Sequence, residues 1–168
     1  MVVALQSGVG RGPCGCDHYG VVICTLGDLL MDVVVRPDGA AVGGDDRHAR
    51  IATSVGGQAA NVAAWAAHLG AQARVVAVRA TDAIGRVLEQ ELAERRVTLC
   101  GPRVEGVTGT VVSLVDGVGE RSMLSDRGVS PTFAPDQLDP VWFTGIDRLH
   151  ITGYALLAEP FAGTAIEA

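Results

Sequence analysis

The chain has 168 residues, enough for one domain with a sizeable core, and its composition, 48% hydrophobic and 19% charged, excludes a largely disordered protein. A net charge of -6 argues against a nucleic-acid-binding surface, because phosphate recognition needs clustered cations and the 13 basic residues, all arginine, are scattered along the chain. No apolar run approaches the ~20 residues that span a bilayer, and residues 1–5 lack the basic flank of a signal peptide, so we expect a cytoplasmic protein without a membrane partner.

The first stretch of the chain, residues 1–20, is rich in glycine and shows no hydrophobic period. We expect a flexible leader there and a domain over residues 21–168. Residues 8–12 contain Gly-x-Gly-x-Gly, but this is not the G-x-G-x-x-G spacing of a dinucleotide site and no amphipathic helix follows it. A nicotinamide-binding domain is therefore not expected.

The cysteines show neither framework spacing nor a secretory context, so we expect reduced thiols. Cys24 and Cys100 are predicted to be small core residues. Cys14, Cys16 and His18 could in principle ligate a soft metal, but no fourth ligand follows at zinc-site spacing, and a plain loop is the expectation.

Three extended segments follow the leader. Residues 21–26 are a short apolar run, typical of a buried parallel strand. Residues 29–36 predict a second strand that ends in the turn signal Arg36-Pro37-Asp38-Gly39, and residues 49–55 can form its return partner.

The strongest helix prediction begins after Gly56-Gly57. Its apolar residues follow the i, i+3, i+4, i+7 stripe of an amphipathic helix, and they are Val62, Trp65, Ala66 and Leu69. Gly70 stands at the C′ position, where glycine commonly ends a helix. We expect this stripe to pack on the core.

Further alternation of strand and helix follows. Residues 74–78 predict a strand, and Asp82 can cap a helix. The apolar face of that helix consists of Ile84, Leu88 and Leu92. Residues 110–125 predict two strands about a turn at 116–119, and residues 149–152 predict another core strand. A last helix is expected to begin near Glu159-Pro160.

This order of elements predicts an α/β fold in which a parallel sheet is covered by helices and carries an inserted β-hairpin. Ligands in such folds bind beyond the carboxyl ends of the strands. The segments that follow those ends are Asp28, Asp32 and residues 56–61.

Asp32 lies a few residues beyond the first strand, where its carboxylate can accept charge-assisted hydrogen bonds from two neighbouring sugar hydroxyls. The alternative for an aspartate in this position is a turn or cap residue. Position alone does not decide between them.

The segment Gly56-Gly57-Gln58-Ala59-Ala60-Asn61 carries more information. Paired glycines let the backbone approach a ligand closely, and the following helix start leaves N–H groups unpaired. Asn61 adds a donor and an acceptor. The alternative is a tight turn followed by a surface asparagine.

In their order along the chain, these motifs resemble the ribokinase-like PfkB family of carbohydrate kinases, over about residues 21–161. The residues that carry the resemblance are Leu26-Gly27-Asp28 with Asp32, Ser54-Val55-Gly56-Gly57-Gln58-Ala59-Ala60-Asn61-Val62-Ala63, Leu69-Gly70, Asp82-Ala83-Ile84-Gly85, Thr108-Gly109-Thr110, Asp126-Arg127-Gly128 and Leu149-His150-Ile151-Thr152-Gly153-Tyr154. The family's fold is a parallel sheet flanked by helices with a small inserted β lid.

The resemblance implies a sugar site in which Asp32 holds hydroxyls and the Gly56-Gly57 backbone and Asn61 complete the pocket. Gln58 belongs to the same segment and stands where some members have lysine, so a neutral amide replaces a cation there. Segments near 32–36, 49–55 and 110–125 would form the lid, through which a homodimer could assemble.

The resemblance also implies an ATP-dependent kinase, with Mg²⁺ bridging the nucleotide phosphates. The family's second signature, Gly-Ala-Gly-Asp, does not occur in the 168 residues, so neither a catalytic nor a cofactor-binding residue is predicted in this chain. We therefore expect the substrate-binding half of a kinase, truncated before the nucleotide-binding half and inactive alone. The alternatives are a non-catalytic sugar-binding module and a fragment with no stable fold.

Overall fold

A computed structural model describes residues 20–39 and 46–168. The ten strands within these residues are β1 Val22–Leu26, β2 Leu30–Pro37, β3 Ala49–Gly56, β4 Gln72–Val76, β5 Arg79–Ala80, β6 Val97–Cys100, β7 Arg103–Val104, β8 Thr108–Val115, β9 Arg121–Gly128 and β10 Arg148–Ile151. The α-helices are α1 Gln58–His68, α2 Ala83–Glu94 and α3 Phe161–Glu167. Short 3₁₀ segments occupy Ser130–Thr132, Pro135–Gln137, Pro140–Phe143 and Gly153–Leu156. The cluster of Cys14, Cys16 and His18 lies outside the described residues, and so does the predicted leader apart from residue 20.

The core is a parallel sheet with the strand order β10-β1-β4-β6. One of its faces packs on α1 and α2 through an apolar cluster that includes Val75, Leu88 and Leu92. The other face packs on α3 and the 3₁₀ segments through Phe133 and Phe161, whose ring centroids lie 5.6 Å apart. The predicted parallel sheet flanked by helices is therefore confirmed.

A second sheet, which we name the lid sheet, has the order β3-β2-β8-β9. β2 pairs antiparallel with β3 and parallel with β8, and β8 pairs antiparallel with β9. The predicted return strand and the predicted hairpin thus join one sheet. Leu30, Gly56 and Thr108, at the ends nearest the core, are buried, whereas β9 is exposed over most of its length.

The face of α1 that packs on the core shares only Ala66 with the predicted stripe. Trp65 is 65% exposed and Leu69 81% exposed. The buried positions are the alanines Ala59, Ala60, Ala63 and Ala66. The physical reason is close packing: a Cβ added at Gly27 of the sheet would lie 2.9 Å from Ala59 Cβ, so this interface leaves no room for large side chains.

Both helix-end predictions are confirmed. Gly70 takes φ +95° and donates to Ala67 O at 3.0 Å, while Ala71 donates to Ala66 O, the Schellman pattern. Asp82 caps α2 by accepting from Gly85 N at 2.7 Å. The Asp82 carboxylate also accepts from Thr108 N at 2.8 Å, which fastens the start of α2 to the base of the lid sheet.

Candidate functional site

The candidate site lies where the lid sheet meets the start of α1. Asp32 is the third residue of β2, and its neighbours in register are Ser54 on β3 and Val111 on β8. It is therefore a strand residue, and the turn-or-cap alternative is wrong. Because side chains alternate along a strand, Asp32, Ser54 and Gly56 belong to the same face of the lid sheet.

The Asp32 carboxylate lies directly over the α-carbon of Gly56. A Cβ added at Gly56 would come within 2.0 Å of Asp32 Cγ and within 2.2 and 2.3 Å of its two oxygens. Any side chain at position 56 would occupy the space of the carboxylate. Glycine is thus required there by the position of Asp32, and the two residues form one structural unit.

Burial raises the pKa of Asp32 above its ordinary value of 3.8, and a hydrogen bond from the Asn61 side chain partly opposes this rise. Asp32 and Asn61 therefore meet at one point, although one belongs to the lid sheet and the other to α1. The partly desolvated carboxylate can accept hydrogen bonds from hydroxyl groups. The neighbouring amide can both donate to such groups and accept from them.

Gly57 brings the backbone close to the end of β1. It has φ +88°, and a Cβ there would lie 2.2 Å from the carbonyl oxygen of Asp28, so a side chain is excluded both by strain and by contact. No side chain caps α1 at Gly57, which leaves the first N–H groups of the helix available to a ligand. Gln58, the next residue, is exposed.

A two-point ion pair connects the core sheet with the lid sheet beside this unit. Arg127 of β9 donates to Asp28 through Nη2 at 2.7 Å and Nε at 3.0 Å, and also to Tyr154 O at 3.1 Å. The Asp28 side chain is 6% exposed and that of Arg127 21% exposed. Such a pair is strong because the planar guanidinium matches the carboxylate and little water screens it.

The structure thus brings Asp32, Gly56, Gly57 and Asn61 together and leaves Gln58 at the exposed rim. Sequence reasoning gave Arg127 no role. Nothing in the sequence pairs a lone arginine near the end of a predicted hairpin with an acid 99 residues away. In the structure, the burial of Asp28 after β1 shows that its carboxylate needs a cation.

Within residues 20–39 and 46–168, no three acidic, histidine or cysteine side chains converge on a point that could hold a metal ion. No helix in the same residues is long and apolar enough to cross a membrane.

Comparison with known proteins shows which family the chain resembles. The family model described as pfkB family carbohydrate kinase matches residues 22–168. A fructokinase from Klebsiella pneumoniae is 32% identical over 150 residues, 87% of this chain and 45% of that protein. An ATP-dependent ribose-1-phosphate kinase from Halopiger xanaduensis is 31% identical over 135 residues, 79% of this chain and 46% of that protein.

Among solved structures, adenosine kinase from Sinorhizobium meliloti superposes with a TM-score of 0.74 at 22% identity, over 88% of this chain and 51% of that one. Structural neighbours of this kind confirm the ribokinase-like fold. The chain spans about half the length of the curated relatives that it matches.

Proposed function

Because the chain belongs to the pfkB family of carbohydrate kinases, we propose that it forms the substrate-binding part of an ATP-dependent kinase that phosphorylates a hydroxyl group of a sugar or nucleoside. The relatives and neighbours support an acceptor of this class, since they include a fructokinase, a ribose-1-phosphate kinase and an adenosine kinase.

The observation that supports this proposal best is the meeting of Asp32 and Asn61 above the glycine turn. In the proposed complex, Asp32 accepts hydrogen bonds from two adjacent hydroxyls and Asn61 binds a third polar group. The closeness of the Asp32 carboxylate to Gly56 fixes its position, so little side-chain entropy is lost when the acceptor binds. Gln58 contributes a neutral amide at the rim.

The lid sheet gives the acceptor a cover. One face of it, which we name the cleft face, carries Asp32, Ser54 and Arg127. A cover over the acceptor excludes water, which in a kinase would otherwise compete with the acceptor hydroxyl for the phosphoryl group.

Enzymes of this family use ATP, generally with Mg²⁺. No three acidic, histidine or cysteine side chains lie together in the described residues, and we assign no Mg²⁺ ligand to them. We propose that this polypeptide alone does not transfer phosphate, because its sequence has no Gly-Ala-Gly-Asp turn to supply the catalytic base.

Calorimetric titration of the purified chain with fructose, ribose, ribose 1-phosphate and adenosine tests the binding proposal. At least one of them should bind without ATP, and Asp32→Asn should weaken that binding by about a hundredfold, or ~2.7 kcal/mol. Asp136→Asn, an exposed aspartate in a 3₁₀ segment, is the matched control and should bind like the wild type. Binding that survives Asp32→Asn unchanged would refute the assignment.

A phosphorylation assay distinguishes the substrate-binding part of a kinase from a sugar-binding module and from a fragment without a stable fold. ATP-dependent phosphorylation of any of these acceptors by the chain alone would overturn the proposal that it is inactive. A sugar-binding module would bind an acceptor but would not gain activity from a second polypeptide. A fragment without a stable fold would lack a cooperative unfolding transition.

We also propose a homodimer that assembles through the other face of the lid sheet, which we name the outer face. It carries an apolar set that consists of Val33, Val35, Ile51, Val112, Leu114 and Leu124. Ile51 is 64% exposed and Leu124 63% exposed. The set forms a continuous patch of the kind that marks interaction surfaces.

The unpaired thiols Cys24 and Cys100 support a reducing, cytoplasmic location.

A further inference from the structure

A groove lies between the outer side of α1 and the C-terminal end of α2. Its volume is about 530 Å³, within the range of small-molecule sites. The residues that give it its chemistry are Asn61, Trp65, His68, Glu94, Arg95 and Arg96. Asp32 does not line it, so the groove adjoins the acceptor cleft and shares Asn61 with it.

An exposed indole ring forms one wall. Trp65 is 65% exposed, and His68 meets it edge-on with ring centroids 5.5 Å apart and planes at 87°. The histidine ring is therefore in contact with the indole. Flat aromatic groups such as nucleobases stack favourably on an exposed aromatic ring.

Arg95 and Arg96 line the other side of the groove, together with Glu94. Arg95 contacts Glu91 at 3.3 Å and its side chain is 41% exposed. Among the described residues, none makes a hydrogen bond or an ion pair with the Arg96 side chain. The groove therefore offers a ligand the Arg96 guanidinium, whereas Arg95 is already paired with Glu91.

Arg96 is held in an unfavourable backbone conformation. With φ 61° it has a left-handed conformation, the sole non-glycine residue among those described to do so. It ends α2 by donating to Ala93 O at 2.9 Å, as Gly70 ends α1 by donating to Ala67 O. Glycine would satisfy the same backbone without steric cost, so the side chain is retained against a local strain. Strain of this type is concentrated at functional sites.

We propose that this groove binds a mononucleotide, with the base stacked on Trp65 and the phosphate held by Arg95 and Arg96. Arginine forks match phosphate oxygens in two-point contacts, and the indole supplies the stacking surface for the base. The proposal does not rest on the proposed function, because Trp65, Arg95 and Arg96 have no role in the acceptor cleft.

Calorimetric titration of the full chain with AMP tests the proposal, in the wild type and in an Asp32→Asn background in which acceptor binding is weakened. AMP should bind both equally. Arg96→Gly should weaken AMP binding at least about tenfold, or ~1.4 kcal/mol, while the melting temperature stays equal or rises. Trp65→Ala should weaken it similarly, and Arg121→Ala, an exposed arginine of β9, should leave it unchanged.

Orthophosphate carries only the phosphate group of AMP, and adenosine carries only its base and ribose. Both should bind the Asp32→Asn chain more weakly than AMP does. No saturable AMP binding, binding that survives both Arg96→Gly and Trp65→Ala, or orthophosphate binding as tight as that of AMP would each overturn the proposal. Because Arg96→Gly should remain folded, a loss of AMP binding in this variant is caused by the missing side chain.

Discussion

At the scale of single residues, the proposed role of Asp32 in binding comes at a cost in stability. Its carboxylate is partly buried, and burial raises its pKa. In the proposed complex the hydroxyls of the acceptor replace the water that the carboxylate has lost. Before binding, the folded chain therefore carries an incompletely solvated charge.

This charge gives a prediction about pH. Because the folded-state pKa of Asp32 lies above the ordinary 3.8, its contribution favours the folded state below 3.8 and is lost as the pH rises through the raised pKa. Asp32→Asn removes that ionisation and should raise the melting temperature at neutral pH while it lowers acceptor affinity. Thermal unfolding from pH 3 to 8 checks this, and a variant less stable than the wild type at neutral pH would contradict it.

The same ionisation should govern binding. Acceptor affinity is expected to be constant near neutral pH and to fall as Asp32 becomes protonated, at a higher pH than for an ordinary aspartate. Calorimetry across this range measures the midpoint. An affinity that does not change down to the ordinary pKa would show that the carboxylate charge does not contribute to binding.

Gly56 gives a second residue-scale prediction. A Cβ there would occupy the position of the Asp32 carboxylate, at 2.0 Å from its Cγ, so Gly56→Ala must displace that side chain. We expect acceptor affinity to fall about tenfold or more, or ~1.4 kcal/mol. Gly117→Ala, in a turn with open space around it, is the matched control and should bind normally. Calorimetry measures both, and equal affinities would separate Gly56 from the site.

At the scale of elements, the contact between the two sheets depends on the Asp28–Arg127 pair. Arg127→Met should leave the Asp28 carboxylate, 6% exposed, without a partner and destabilise the chain by about 3–5 kcal/mol. Arg121→Met, on the exposed part of β9, should change stability by less than about 0.5 kcal/mol. Urea unfolding measures both variants.

A second variant distinguishes the lost pair from lost packing. Asp28→Asn combined with Arg127→Met removes the stranded charge and should recover part of the stability. If the double variant is as unstable as Arg127→Met alone, the pair is not what connects the sheets.

The elements also show how far sequence reasoning reaches. β1 and the hairpin of β8 and β9 were predictable, because apolar runs and turn residues mark them directly. β6 was missed because no glycine separates it from α2: the turn is made by Arg96 in the conformation that glycine usually supplies. The sequence therefore predicts no strand after α2, because the usual turn signal is absent.

The packing face of α1 could not be read from residue size. Its alanines are buried and Trp65 is exposed because the sheet approaches the helix too closely for larger side chains, and this distance is set by Gly27 and Thr152 from distant parts of the chain. The candidate site was easier to predict. Gly56, Gly57 and Asn61 lie where β3 ends and α1 begins, Asp32 lies shortly after the end of β1, and the α/β architecture brings such positions together. The partner of Arg127 is fixed only by tertiary structure.

At the scale of the whole molecule, the lid sheet has two faces with different chemistry. The cleft face carries Asp32 and Arg127 toward the core, whereas the outer face is apolar and half exposed. A sheet that is apolar on its solvent side lowers its free energy when a second copy covers it. The same four strands would then bind the acceptor on one face and a partner subunit on the other.

Neighbouring residues of β9 allow a direct test, because adjacent strand residues point to opposite faces. Leu124 is on the outer face and Met123 on the cleft face, and their exposures are similar, 63% and 54%. Leu124→Asp should place a charge in the dimer interface and convert the dimer to a monomer in light scattering coupled to gel filtration. Met123→Asp should leave the dimer intact, and circular dichroism should show that both variants are folded. A wild-type chain that stays monomeric at high concentration, or two variants that behave alike, would mean that the outer face does not mediate assembly.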